Sequence, residues 1–170
     1  MITSDLRRIV TMPVADHPKT EYLFSIYGTP VRFITSTSLL AAPVEELLRH
    51  FRRNSLDDSV PLTLSFQAVQ NRAAIPLTLS SSAHQLSSGT GAAVGERSAT
   101  GLSYEVIHDG GRLIADLSDV GILVIDGVQG RADGYLIRPQ MMPTSLIEYL
   151  FHLALIELLR HRELYTIHAT

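Results

Sequence analysis

Residues 102–139, LSYEVIHDGGRLIADLSDVGILVIDGVQGRADGYLIRP, contain four apolar, β-rich runs separated by turn-forming sequences. The separators are rich in the glycine and aspartate that tight turns favour: Asp109-Gly110-Gly111, Ser118 to Gly121, and Gly127 to Asp133. Strands joined by tight turns pair with their neighbours along the chain, so this stretch predicts a meander of antiparallel hairpins.

Further strand patterns lie on both sides of this meander. The segment EYLFSIYGTPVRFITS (21–36) has two β-rich runs around Gly28-Thr29-Pro30, which predicts a hairpin. Alternating apolar residues in PLTLSFQAVQ (61–70) and IPLTLSSSA (75–83) predict two more strands. LYTIHAT (164–170) predicts a short strand at the end of the chain.

Two helices are also predicted. AAPVEELLRHFRR (41–53) places Pro43 in a first helical turn, with glutamates towards its start and arginines towards its end, as the helix dipole favours. A longer helix runs from Thr144 or Ser145 to about Arg162, and its apolar residues point in nearly every direction, which indicates burial on more than one side. The prediction is an α+β fold, mostly antiparallel β-meander and hairpins packed on one long apolar helix, with a second shorter helix.

Residues 85–101 are rich in Ser, Gly, Ala and Thr and predict a flexible loop. Within them, GTGAAVGERS (89–98) resembles a phosphate-binding loop at first sight. That motif needs two glycines separated by four residues and followed by lysine, whereas Gly89 and Gly95 are one residue too far apart and Glu96 replaces the lysine. A carboxylate there repels phosphate, so we expect no nucleotide site in this chain.

The overall composition fits one domain, residues 1–170. With 17 acidic and 14 basic residues the formal net charge is -3, so nucleic acid is not an expected partner. Cysteine is absent, which excludes thiolate zinc sites and thiol nucleophiles and fits a reducing compartment. No signal-peptide core follows the N-terminus, and the longest apolar segment is shorter than the roughly 20 residues of a membrane span. The default expectation is a cytoplasmic protein with no membrane partner.

Two Glu/His pairs on the long helix are candidate metal ligands, since Glu148 and His152, like Glu157 and His161, are four residues apart and share a face. The two pairs are offset by nine residues, which turns them to opposite sides of the helix. They cannot form one site, so we expect no stoichiometric transition metal.

Catalytic groups are equally sparse. No GxSxG nucleophile motif is present. The meander has aspartates near its predicted strand ends, where this residue type is common in turns: Asp109, Asp116, Asp119, Asp126 and Asp133. A hydrolase that uses a pair of them stays open as an alternative, with these scattered acids as its only basis.

The segment LIEYLFHLALIELLRHRELYTIHAT (146–170) resembles the region just before the ATP-binding core of proteins related to HPr kinase/phosphorylase. In that family an apolar helix ends in one or two basic residues, and a short linker leads to a strand of the form Leu-His-Ala-Ser. Here the helix ends at Arg160-His161-Arg162, and the strand reads Ile167-His168-Ala169-Thr170, with Ile for Leu and Thr for Ser.

The resemblance implies that the chain is the N-terminal portion of a longer ATP-dependent serine kinase and stops before its phosphate-binding loop. It implies ATP and Mg for the full-length protein, no cofactor or catalytic residue in this chain, and His168 as the one position near the nucleotide domain. The expected partners are a C-terminal nucleotide-binding domain or a second copy of the chain, and a protein or peptide substrate. The alternative function is a free-standing binding or assembly protein that forms a homo-oligomer through the apolar helix.

Overall fold

The computed structural model describes residues 19–55, 60–91 and 102–162, which form a strand-dominated mixed α/β fold with two α-helices. Nine strands share one sheet: β1 Thr20–Ile26, β2 Thr29–Thr35, β3 Arg52–Arg53, β4 Leu62–Val69, β5 His84–Gly91, β6 Leu102–Asp109, β7 Arg112–Asp116, β8 Gly121–Asp126 and β9 Arg131–Ile137. The helices are α1 Ser38–Leu48 and α2 Thr144–His161.

The strand order is β3-β1-β2-β4-β9-β8-β7-β6-β5. Strands β5 to β9 form an antiparallel meander, which confirms the hairpins predicted for residues 102–139. At the centre, β4 pairs in parallel with both β2 and β9, so the sheet is mixed. The expected antiparallel pairing therefore holds for the outer strands but not for β4, which is parallel to both of its neighbours. The sequence pattern shows where a strand begins and ends but does not specify its partner across a long connection.

The predicted β1–β2 hairpin is confirmed, with Ile26 opposite Thr29 across a two-residue turn. Tyr27 (φ 49°) and Gly28 (φ 83°) both have the positive φ that a type I′ turn requires. Glycine adopts this backbone without strain, whereas tyrosine does so at a cost.

The main core lies between one face of the sheet and the two helices. Alternation places Leu62, Leu64 and Phe66 of β4 on this face, where all three are fully buried. Phe66 packs edge-to-face with Phe33 of β2 and Phe151 of α2, and the ring centroids are 5.4–6.2 Å apart in this trio. These aromatic contacts join β2 and β4 to the long helix α2.

A smaller core lies on the opposite face of the sheet, around Ile75, Ile114 and Ile122. Residues 75–83 cover this part of the sheet as an irregular segment, so the strand predicted for IPLTLSSSA is wrong. Pro76 has no backbone N–H for a ladder bond. The backbone N–H of Ser80 donates to the Asp109 carboxylate (3.3 Å) instead of to a neighbouring strand.

Two further predictions need correction. Helix α1 begins at Ser38, where Thr37 Oγ1 accepts a hydrogen bond from Leu39 N (3.3 Å), so Pro43 lies inside the helix and not in its first turn. Residues 85–91 belong to β5 and pair with β6, so this part of the predicted loop 85–101 is a strand. The rest of the loop, 92–101, and the predicted strand 164–170 lie outside the described residues.

The long helix occupies the predicted place in the chain, but the expectation that it is apolar almost all round is not confirmed. Tyr149, His152 and Arg160 are exposed along its outer side, and Glu148 and Glu157 are half-buried. In the part of the chain that the structure describes, no helix is long and apolar enough to span a membrane.

Candidate functional site

An apolar groove of about 410 Å³ lies between α2, the tip of the β1–β2 hairpin and the turn that follows α1. Its lining residues come from these three parts of the chain and none is acidic, lysine or arginine: Ile26, Tyr27, Leu48, Phe51, Tyr149, His152, Leu153, Leu155, Ile156 and Leu159. Large apolar pockets with few polar groups are typical binding sites. This groove is therefore the leading candidate for a functional surface.

Two tyrosines stand on the rim of the groove. Tyr27 is 83% exposed, and Tyr149 is 46% exposed. The Tyr27 ring contacts Phe51 edge-to-face at 6.0 Å, which fixes it beside the groove.

Tyr27 also has the strained backbone of the type I′ turn, at a position where asparagine or glycine fits better. Residues with strained backbone conformations cluster at functional sites. The role of Tyr27 was not predicted from the sequence. The available signal was a tyrosine directly before Gly28 in a two-residue hairpin turn.

The outer side of α2 contributes Tyr149, Leu153 and Ile156 to the groove lining, and these residues are three or four positions apart, so they share one face of the helix. Leu153 and Ile156 are half-buried, whereas the opposite side of the helix is fully packed against the sheet. The helix thus presents an apolar ridge along one wall of the groove.

A second, polar cleft of about 510 Å³ lies over the meander on the face opposite the helices. It is lined by hydroxyl, amide and charged groups: Arg72, Gln85, Ser88, Ser103, Tyr104, Glu105, Asp116, Ser118 and Asp119. Arg72 binds Asp116 through two hydrogen bonds, of which Nη1 to Oδ1 is 2.9 Å, and it also donates to Ser118 O (3.0 Å). The hydrogen bond to Asp116 is the main cause that raises the pKa of Arg72.

Asp109 is the buried acid of the meander, with 1% exposure. It accepts hydrogen bonds from the hydroxyl and the backbone N–H of Ser80 and from the Arg112 guanidinium. These bonds, the Ser80 hydroxyl first, lower the pKa of Asp109 below its ordinary value of 3.8. Asp109 thereby fastens residues 75–83 to the β6–β7 hairpin.

All of the other predicted aspartates except Asp119 also have local partners. Asp126 accepts from Gln129 N (2.9 Å) in the β8–β9 turn, and Asp133 binds Arg131 (2.8 Å) along β9. Only Asp116 and Asp119 of the five line the same cleft. The turn interpretation accounts for Asp126 and also for Asp116, which accepts a hydrogen bond from Ser118 N (3.0 Å). Asp109, Asp116 and Asp133 in addition hold ion pairs that the sequence pattern did not predict.

The two predicted Glu/His pairs of α2 lie in different surroundings in the structure. His152 lines the apolar groove, whereas Glu157 binds Arg160 (2.8 Å). His161 lies against Gly127 in the β8–β9 turn, so closely that a side chain at Gly127 would collide with the imidazole. Within residues 19–55, 60–91 and 102–162, no group of three or more histidines and acids is placed to hold a metal ion. His168 lies outside the described residues.

No protein-family model, curated protein or solved structure matches this chain. The functional proposal is therefore argued from the groove and from the resemblance of residues 146–170.

Proposed function

We propose that this chain is a non-catalytic binding and assembly domain that pairs with a second copy of itself through the apolar groove. The observation that carries the proposal is the position of the exposed Tyr27 and Tyr149 on the rim of an uncharged apolar groove. Aromatic side chains are enriched at protein interfaces, where they supply large contact areas at low entropic cost.

The surface has both a projecting side chain, Tyr27, and a depression, the groove. This combination favours a second copy of the chain as the occupant of the groove. In a two-fold interface the same patch serves both partners, so a projecting side chain of one copy enters the groove of the other. Tyr27 is the most exposed aromatic of the patch, and the groove beside it is large enough for a side chain of this size.

Charge gives no reason to prefer a different protein. Among the described residues, the groove lining contains no Asp, Glu, Lys or Arg, so two copies with a formal net charge of -3 bring no like charges into contact there. A partner selected by charge would need a complementary pattern that this patch does not have.

We further propose that the domain acts in a cytoplasmic, HPr kinase-like serine kinase, as the resemblance of residues 146–170 implies. A nucleotide-binding domain is then the rival occupant of the groove and would hold ATP and Mg. A protein or peptide would be the substrate. Helix α2 is the part of this resemblance that lies within the described residues.

Light scattering at micromolar concentration tests the assembly function. We expect a dimer for the natural chain and a monomer for Tyr149→Glu, which brings a charge into the apolar interface of each copy. Val128→Glu is the matched control, because Val128 is exposed in the β8–β9 turn and does not line the groove. A monomeric natural chain, or a dimer that Tyr149→Glu leaves intact, contradicts the proposal.

A calorimetric titration with ATP and Mg tests the non-catalytic assignment separately. We expect no tight binding, because the chain has no lysine-bearing phosphate loop. Micromolar affinity for ATP would contradict this assignment without affecting the assembly proposal.

A further inference from the structure

His84 and His108 lie directly opposite each other on the paired strands β5 and β6. Their ring centroids are 5.2 Å apart with an angle of 49° between the ring planes. His84 is exposed and His108 is half-buried, so the pair is open to solvent on one side. Neither residue lines the apolar groove or the polar cleft.

We propose that these two histidines chelate a divalent transition-metal ion of the class that prefers imidazole, such as Cu²⁺, Ni²⁺ or Zn²⁺. Two imidazoles that bind one tetrahedral ion through bonds of about 2.0–2.1 Å have ring centroids roughly 5 Å apart, once the radius of each ring is added. The separation in the protein matches this value. Water completes the coordination on the exposed side.

The environment of His84 supports this role. Its Nδ1 lies 3.4 Å from the backbone oxygen of Ser82. An Nδ1–H that donates to this carbonyl leaves Nε2 as the free lone pair, and this is the usual arrangement of a metal-binding histidine. The sheet fixes His108 opposite, so the ion needs no large rearrangement of the backbone to bind.

Sequence spacing did not indicate this site, because the two histidines are 24 positions apart. Residues 85–101 were predicted as a loop, which removed β5 from the sheet and left His84 without a cross-strand partner. The metal expectation was based on residues of one helix, where i, i+4 spacing can be recognised directly.

Calorimetric titration of the full chain, purified without an affinity tag, tests the proposal with Cu²⁺ alone and then with Ni²⁺ and Zn²⁺. We expect one ion per chain, with Cu²⁺ bound most tightly. His84→Ala and His108→Gln should each weaken binding about tenfold or more, since a lost ligand costs at least as much as a lost ligand-orienting group. His50→Ala is the matched control, because His50 is also exposed but lines neither the groove nor the polar cleft.

Two further measurements keep the test independent of folding defects. In the Cu²⁺ complex, electron paramagnetic resonance should show two nitrogen ligands in the natural chain and fewer in His84→Ala. Bound metal should also raise the thermal midpoint of the natural chain and not that of His84→Ala. Absence of stoichiometric binding, or equal losses in His50→Ala and His84→Ala, would overturn the proposal.

Discussion

The two halves of the sheet have surfaces of opposite polarity. Around the groove, at the β1–β2 hairpin and α2, aromatic and aliphatic side chains face outward, and the described residues that line it include no Asp, Glu, Lys or Arg. Over the β5–β7 hairpins, the surface is polar and buried or half-buried carboxylates are paired, as in Arg72–Asp116 and Arg112–Asp109.

The polar half of the sheet uses its charged residues within the fold, whereas the apolar half leaves side chains available for a partner. The ion pairs of the polar half hold a loop and the hairpins together, so their residues already have partners within the chain. The apolar half leaves Tyr27 and Tyr149 in water, where each forgoes part of the stabilisation that burial would provide. We propose that a second copy of the chain covers these two side chains.

The largest expected effect is in the core of the apolar half. Phe151→Ala removes the ring that contacts both Phe33 and Phe66, and we expect a loss of about 3–5 kcal/mol in the free energy of unfolding. Urea denaturation at low protein concentration measures it. Ile114→Ala, in the small core of the polar half, is the comparison and should cost less. A greater loss for Ile114→Ala would show that the polar half, and not α2, dominates stability.

The next effect is in the polar half and depends on pH. Because hydrogen bonds lower the pKa of Asp109, the unfolded chain takes up a proton before the folded chain does as the pH falls. The stabilisation by Asp109 is therefore present above pH 3.8, its ordinary value, and is lost as the pH falls below that value through the folded-state pKa. Asp109→Asn should be less stable than the natural chain at neutral pH, and the difference should narrow in acid.

Denaturation curves between neutral pH and about pH 3 measure this dependence on Asp109. Asp119→Asn is the control, since Asp119 is exposed in the same half and makes no hydrogen bond to the described residues. A stability difference for Asp109→Asn that stays constant over this range would mean that the carboxylate charge is not what holds residues 75–83.

The sequence predicted the meander because its turns carry glycine and aspartate, and the first hairpin because Gly28 lies between two β-rich runs. It did not predict the parallel junction of β4 with β2 and β9, since strand partners across long connections depend on tertiary packing. The irregular course of residues 75–83 was missed for a related reason. The alternation of Ile75, Leu77 and Leu79 is typical of a strand. The backbone N–H of Ser80 instead donates a hydrogen bond to the buried carboxylate of Asp109, 29 residues away.

The candidate site was predictable in part. The surplus of apolar residues on α2 indicated a second contact surface, and the groove lies along that helix. The contribution of Tyr27 and Phe51 could not be predicted, because they approach α2 only when the hairpin and the turn after α1 are placed by the sheet.

The smallest expected effect is at Tyr27. Tyr27→Asn places a residue suited to positive φ before Gly28, and we expect the isolated monomer to become more stable, by at most about 1 kcal/mol. Loss of the Tyr27–Phe51 contact offsets part of this gain. Denaturation at a concentration where both proteins are monomeric measures the difference. A clear loss of stability would indicate that Tyr27 is retained for folding.

Sedimentation equilibrium of the natural chain and Tyr27→Asn, over a range of micromolar concentrations, tests the central claim most directly. If Tyr27 enters the groove of a second copy, the natural chain self-associates to a dimer, and Tyr27→Asn remains monomeric at the same concentrations although its fold is intact. A natural chain that stays monomeric throughout the range, or a Tyr27→Asn variant that dimerises as tightly, would contradict it.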